Sequence, residues 1–140
     1  MSAGALIWRD GEVLLVQPAY KPDWEIPGGV VENDESPAAT IVRELKEELG
    51  IDAHPNRLLV IDWQAGSEEY TEALNLIFEV NLAQESEKLF RLPPDELCSD
   101  QFVKPNHFDH FLVNRLASRV RLAIQASVNG QTIYTQGGAK

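Results

Sequence analysis

Ser36-Pro37-Ala38-Ala39-Thr40-Ile41-Val42-Arg43-Glu44-Leu45-Lys46-Glu47-Glu48-Leu49-Gly50 is the segment from which the architecture of this chain can be read. Ser is a preferred N-cap. Pro suits the first helical position, where its missing N–H costs nothing. The helix so opened should run over Pro37–Leu49 and stop at Gly50, a residue suited to a left-handed C-terminal cap. On a wheel of about 100° per residue, Ala38, Val42, Leu45 and Leu49 fall on one side. Glu44, Glu47 and Glu48 fall roughly opposite, and their i, i+3, i+4 spacing places the carboxylates within one turn, facing the same way. Like charges so spaced destabilise a helix by about 0.2–0.5 kcal/mol per pair. Two of them also stand at the C-terminal end, where the macrodipole disfavours negative charge. A solvated helix face, with Arg43 and Lys46 relieving part of the repulsion, accounts for such a turn without a ligand. A hard cation accounts for it with one. Mg²⁺ takes oxygen ligands and is commonly held by one or two carboxylates plus substrate phosphates.

Outward from this helix, the N-terminal side carries Ala3 to Trp8 and Val13 to Gln17, two apolar runs joined by Arg9-Asp10-Gly11-Glu12. Asp-Gly between apolar runs predicts a hairpin. Lys21-Pro22-Asp23 and Pro27-Gly28-Gly29 read as loop around a brief extended piece, Trp24-Glu25-Ile26. On the C-terminal side, strands are expected over residues 57–62 and 73–81, both rich in Leu, Ile, Val and Phe. A turn follows, then a short strand near residues 89–92, a Pro93-Pro94 break and a last short strand at Phe102-Val103. Residues 107–126 read as helix, with Leu112, Leu116, Val120 and Ala123 at helical spacing. Gly130 ends it, and the tail to Lys140 is weakly specified. Strands and helices mixed in this way predict a mixed sheet with a helix on each face.

From Gly29 the chain reads five residues, Glu35, seven residues, then Arg43-Glu44-Leu45-Lys46-Glu47-Glu48-Leu49-Gly50-Ile51. This matches each fixed position of the Nudix box, and Trp24-Glu25-Ile26-Pro27-Gly28-Gly29 is similar to its usual lead-in. The chain therefore resembles the MutT-like Nudix hydrolases. The resemblance implies the α/β Nudix fold, a mixed β-sheet sandwiched between α-helices (an α/β/α sandwich). It implies Mg²⁺ (or Mn²⁺) and hydrolysis of a phosphoanhydride bond in a nucleoside diphosphate linked to another moiety. ADP-ribose-like nucleotide sugars and (deoxy)nucleoside triphosphates are both open as substrates. Carried over by position, Glu44, Glu47 and Glu48 are the metal-binding and base-catalytic carboxylates, and the carbonyl of Gly28 is a further metal ligand. Arg43 and Glu35 hold the loop and orient the glutamates, while Gly29 and Gly50 are structural. Which glutamate is the base is not fixed by the box. Family members often recruit another acid from outside it; Glu96 resembles that element, with Glu85 and Glu87 as competitors. A catalytically silent Nudix-fold nucleotide sensor is the rival reading, and such proteins commonly lose box glutamates that are all present here. A homodimer is compatible with the resemblance, although no interface can be read from the chain.

The remaining residues bound the answer. A length of 140 residues suits one domain, residues 1–140, with ordinary apolar (44%) and charged (24%) fractions. Twelve basic against 22 acidic residues leave a net charge of −10. Such a chain is poorly suited to duplex nucleic acid or to an anionic membrane surface, both of which recruit Lys and Arg. A phosphorylated small molecule would need a cation to hold it. No segment approaches the ~20 apolar residues of a membrane span, and no signal peptide is evident, so the cytoplasm is the expected compartment. Cys98 is the only cysteine, which excludes an internal disulfide. Tyr20 and Trp24 flank the loop before the box and could stack on a base, and Lys21 could meet a phosphate. Trp8 and Trp63 read as core or rim aromatics. His107 and His110 lack a third ligand, His54 lacks a partner, and Cys98 reads as inert.

Overall fold

The computed structural model of the chain describes residues 1–83 and 90–137. Glu85 and Glu87, and Leu89 of the strand expected near residues 89–92, lie outside the described residues; Phe90, Arg91 and Leu92 are not in a strand. The strands are β1 (Ser2–Leu6), β2 (Trp8–Arg9), β3 (Glu12–Pro18), β4 (Gly28–Val30), β5 (Arg57–Gln64), β6 (Ala73–Glu79), β7 (Leu97–Val103) and β8 (Ile133–Gln136). The helices are α1 (Pro37–Leu49) and α2 (Asn114–Asn129), with a 3-10 helix at Pro105–His110 between β7 and α2. Among the described residues no helix is long and apolar enough to cross a membrane.

Five strands form one mixed sheet in the order β4-β1-β6-β5-β8. β1 pairs in parallel with β6 and antiparallel with β4, while β5 pairs antiparallel with β6 and in parallel with β8. A second sheet has the order β2-β3-β7. The hairpin expected from Asp10-Gly11 is there, joining β2 to β3 with Arg9 opposite Glu12. Both turn residues have positive φ, 54° and 79°, as a tight two-residue hairpin turn requires. The first apolar run is not one strand, however. It breaks at Ile7, so β1 joins the large sheet and β2 the small one.

A helix packs on each side. Ile41, Leu45 and Leu49 of α1 bury fully with Ala5, Leu14 and Val16, and Val120, Ala123 and Ala126 of α2 bury with Leu6, Leu15, Val60 and Ile77. Full burial of each large aliphatic side chain is worth about 1.5–3 kcal/mol. The α1 wheel is therefore rotated from the expected one. Ile41 lies at its centre, whereas Ala38 and Val42 are only half-buried.

Three further expectations are corrected. Residues 107–126 do not make one helix. Phe108 of the 3-10 helix and Leu112 just after it reach the core, and the Phe111 carbonyl accepts the Trp24 N–H at 2.9 Å instead of continuing a helical ladder. The tail is not formless: β8 turns Ile133 and Thr135 inward and Tyr134 and Gln136 outward, alongside β5. The strand at Phe102-Val103 is longer, spanning Leu97–Val103.

Candidate active site

Gly28 and Gly29 were expected in a loop but form β4, whose register places Gly28 opposite Gly4 and Gly29 opposite Ala3 of β1. Two contacts explain why side chains are missing there. A β-carbon at Gly28, where φ is 147°, would overlap the Ala3 carbonyl oxygen. One at Gly29 would overlap the Glu44 carboxylate. The absence of side chains thus lets β4 lie against β1 on one side and lets α1 carboxylates reach its backbone on the other.

The helix is built as its sequence predicts. Ser36 caps it by accepting the Ala39 N–H at 3.1 Å, and Gly50 closes it in the left-handed region at φ 69°. Arg43 then ties it to its surroundings. Its Nε donates to Glu35 Oε2 at 2.8 Å, its Nη2 to Glu35 Oε1 at 3.0 Å and to the Val30 carbonyl of β4 at 3.1 Å. Its Nη1 meets Glu44 at 3.0 Å and Glu47 at 3.3 Å. Glu35 also accepts from the Thr40 hydroxyl at 2.6 Å. Arg43, followed by the Thr40 hydroxyl, holds the Glu35 carboxyl down at about 2.

The three glutamates do not face the same way. Glu47 points outward and is half exposed, while Glu44 lies against Gly29 with its side chain only 15% exposed. Glu48 is buried, at 8% exposure, and accepts the Gly28 N–H at 2.8 Å. Burial pushes the Glu48 carboxyl up to about 8, with the charges of Glu44, Glu25 and Glu96 adding to the rise against the Gly28 N–H. Burial also raises Glu44, with Glu47 and Glu96 adding and Arg43 opposing. Glu96 itself is exposed in the turn just before β7, and its backbone carbonyl accepts the Ala19 N–H at 2.8 Å. Its charge nonetheless reaches both inner glutamates. As they stand, no three His, Cys, Asp or Glu among the described residues converge tightly enough to hold an ion. Arg43 Nη1, within reach of both Glu44 and Glu47, occupies the position between them.

Beside β4 opens a cavity of about 400 Å³ over β1 and β6, walled by the segment before β4 and by the start of α2. Tyr20, Lys21 and Trp24 all line it. Trp24 does so while packing edge-on against Phe111 at 5.3 Å. Tyr20 is 77% exposed, and Lys21 is committed to an ion pair with Glu25 that raises the lysine's pKa. Trp8 packs on the core from its edge. Cys98, His107, His110 and His54 are exposed and stand outside the cavity lining.

Sequence reasoning missed several residues here. Glu25 lines the cavity and adds its charge to the Glu48 environment. Asn75 and Arg119 line it as well. Arg119 pairs with the fully buried Asp62, Nε to Oδ2 at 3.0 Å and Nη2 to Oδ2 at 2.9 Å. A signal was available, since Asp62 and Asn75 each interrupt an apolar strand, and a polar group on a buried strand needs a partner.

Comparison with known proteins agrees with this fold. Residues 1–122 match the NUDIX domain family. Over 53 residues, 35% of this chain and 39% of the relative, the chain is 53% identical to the CTP pyrophosphohydrolase of Escherichia coli (strain K12). Its fold superimposes on a crystal structure of UDP-X diphosphatase with a TM-score of 0.79, at 22% identity, over 96% of this chain and 66% of that one. An ADP-ribose pyrophosphatase from Streptococcus suis superimposes with a TM-score of 0.69, at 21% identity, over 96% of each chain. The chain spans between 26% and 39% of the length of the first curated relatives it matches.

Proposed function

The chain belongs to the NUDIX family, and from that premise we propose that it hydrolyses the phosphoanhydride bond of a nucleoside diphosphate derivative, assisted by Mg²⁺ or Mn²⁺. The observation that carries this reading is Glu48, a buried carboxyl that among the described residues accepts a hydrogen bond from the Gly28 N–H alone and is surrounded by the charges of Glu44, Glu25 and Glu96. A buried carboxylate left among like charges is costly unless a cation joins it. The donor set suits a hard divalent ion, being all carboxylate oxygen with no thiolate or imidazole.

Glu44, Glu47 and Glu48 would hold the ion, with the Gly28 carbonyl and Glu96 as further oxygen donors. When bound, it supplies positive charge against the phosphate oxygens and acidifies water. The chain's own residues do the rest. The Gly28 N–H fixes the Glu48 carboxylate at the end of β4. Arg43 draws Glu44 and Glu47 together on one guanidinium and is itself set by Glu35. A carboxylate of this cluster takes the proton of the attacking water. The adjoining cavity receives the nucleoside, with Trp24 as a wall against which a base can stack. The names of similar proteins, which include acting on CTP, UDP-linked and ADP-ribose substrates, favour a nucleotide but leave the base open.

The test is a panel of nucleoside triphosphates and nucleotide sugars, run with Mg²⁺ and with Mn²⁺ and read by product identity. Metal-dependent release of a nucleoside monophosphate is expected. Nucleotide-induced thermal stabilisation with no product would identify a silent binding module instead.

A further inference from the structure

The cavity lining carries the cationic side chains Lys21, Arg115 and Arg119. Lys21 is paired with Glu25, and Arg119 with Asp62. The acids of the lining, Asp23 and Glu25, both act on Lys21. Arg115, exposed in the first turn of α2, forms no ion pair or hydrogen bond among the described residues. Its Cζ stands over the Tyr70 ring, 5.8 Å from the ring centre. Such a contact holds a cation in place without using any of its N–H donors. Ser67 in turn fixes the turn that carries Tyr70. Its hydroxyl accepts the Tyr70 N–H at 3.1 Å, and its own N–H donates to the Tyr70 carbonyl at 2.7 Å.

The sheet register sets the separation between Arg115 and the acid cluster. Val30 lies beside Ser2, Ser2 beside Asn75, Asn75 beside Asp62 and Asp62 beside Thr135, on β4, β1, β6, β5 and β8 in turn. From β4 to Asp62 is three strand spacings, about 14 Å. Arg119 reaches down onto Asp62, and Arg115 lies one turn before it on the same helix. A pyrophosphate held at the acid cluster beside β4 is far too short to touch both ends. The donors of Arg115 are therefore open to a different group. Carboxylate and phosphate suit a guanidinium best, because two parallel N–H groups meet two oxygens. In a chain of net charge −10 an acid partner would be easy to supply, yet Arg115 has none among the described residues. We infer that Arg115 is a specificity-determining residue of this cavity, selecting nucleoside diphosphate derivatives that carry a further oxyanion beyond the pyrophosphate. Tyr70 is its positioning residue. The oxyanion is a phosphate on the ribose or an acidic group on the moiety linked to the diphosphate, and both present the same chemistry. This rests on the reading that the cavity receives part of such a molecule, and it names the substrate class for that site.

The experiment uses matched pairs that differ by one anionic group: NADPH with NADH, coenzyme A with dephospho-coenzyme A, and UDP-glucuronate with UDP-glucose. The first two pairs place that group on the ribose, the third on the linked sugar, so the pair that responds identifies the source. kcat and KM are measured with Mg²⁺ for the wild type, Arg115→Gln, Tyr70→Ala and Tyr70→Phe. In at least one pair the wild type should favour the charged member about tenfold in kcat/KM, through KM rather than kcat. High salt should shrink that ratio, because Arg115 is exposed. Arg115→Gln should bring it to about one, and its exposed position lets the variant fold. Tyr70→Ala should narrow the ratio part of the way, while Tyr70→Phe, which keeps the ring, should retain it. Calorimetry without added metal compares AMP with adenosine 2′,5′- and 3′,5′-bisphosphate, and glucose 1-phosphate with glucuronic acid 1-phosphate. Parity in all three pairs, or a preference for the charged member that survives Arg115→Gln, overturns the inference. Failure to hydrolyse any of the six substrates would instead remove the hydrolytic reading, and calorimetry would still decide the role of Arg115. Tighter binding of a more anionic ligand, lost in Arg115→Gln, supports that role; equal binding or none overturns it.

Discussion

Two buried carboxylates lie on opposite sides of the large sheet and are treated differently. Asp62, under α2, is fully buried and has Arg119 on one oxygen and the Thr135 hydroxyl on the other. Glu48, on α1, is buried with one backbone N–H as its hydrogen-bond partner among the described residues and with further acids nearby. The first is a completed ion pair that stitches α2, β5 and β8 together. The second has no cationic side chain beside it among the described residues, and on the proposed reading a metal ion supplies that charge. The contrast teaches that burial of an acid does not by itself mark function; what matters is whether the fold supplies the counter-charge.

Glu48→Gln probes the incomplete side and should have the largest effect. The amide oxygen still accepts the Gly28 N–H, so the melting temperature should hold or rise. Steady-state turnover with Mg²⁺ should fall by about 10²–10⁴-fold. Wild-type turnover in this variant would place Glu48 with Asp62 as a structural acid.

Asp62→Ala probes the completed side. It strands the Arg119 guanidinium, whose side chain is 12% exposed, without a counter-charge. Urea unfolding should show a loss of about 3–5 kcal/mol. A loss below 1 kcal/mol would mean that the pair is no more than a solvated contact.

Glu35→Gln gives the smallest effect and separates the two sides by pH. The Glu35 carboxyl is held at about 2, below the ordinary value of 4.5. The folded form therefore prefers the ionised group. Its contribution is complete above about pH 4.5 and is lost as the pH falls toward 2. Thermal melts of wild type and variant should differ above pH 4.5, converge between pH 4.5 and 2, and coincide below. A constant offset across that range would assign the effect to packing.

Much of this contrast could be read in advance, but only on one side. The Ser36 cap, the Gly50 stop and the grouping of acids on α1 are local, the Arg43–Glu35 pair was implied by the family resemblance, and the structure has each of them. The Asp10-Gly11 hairpin turn is legible for the same reason, since its backbone demand is met within the turn. The row Ser2–Asn75–Asp62–Thr135 was not legible. Its members lie far apart in the chain, and register alone brings them together. Gly28-Gly29 reads as loop from composition because glycine is weak in strands. It becomes β4 because β1 supplies a backbone to pair with and a side chain there would not fit.

The sequence by itself determined where α1 begins and ends and that its acids share one turn, because capping and the helical repeat depend on neighbours within a few residues. Only the tertiary structure decided that Glu48 turns inward while Glu47 faces water, that Asp62 meets Arg119, and that Asn75 lies beside Asp62 and Ser2. Those outcomes depend on which surfaces pack against each other and on which side chains the strand register sets in line. The desolvation that makes a charge costly exists only once that packing has formed.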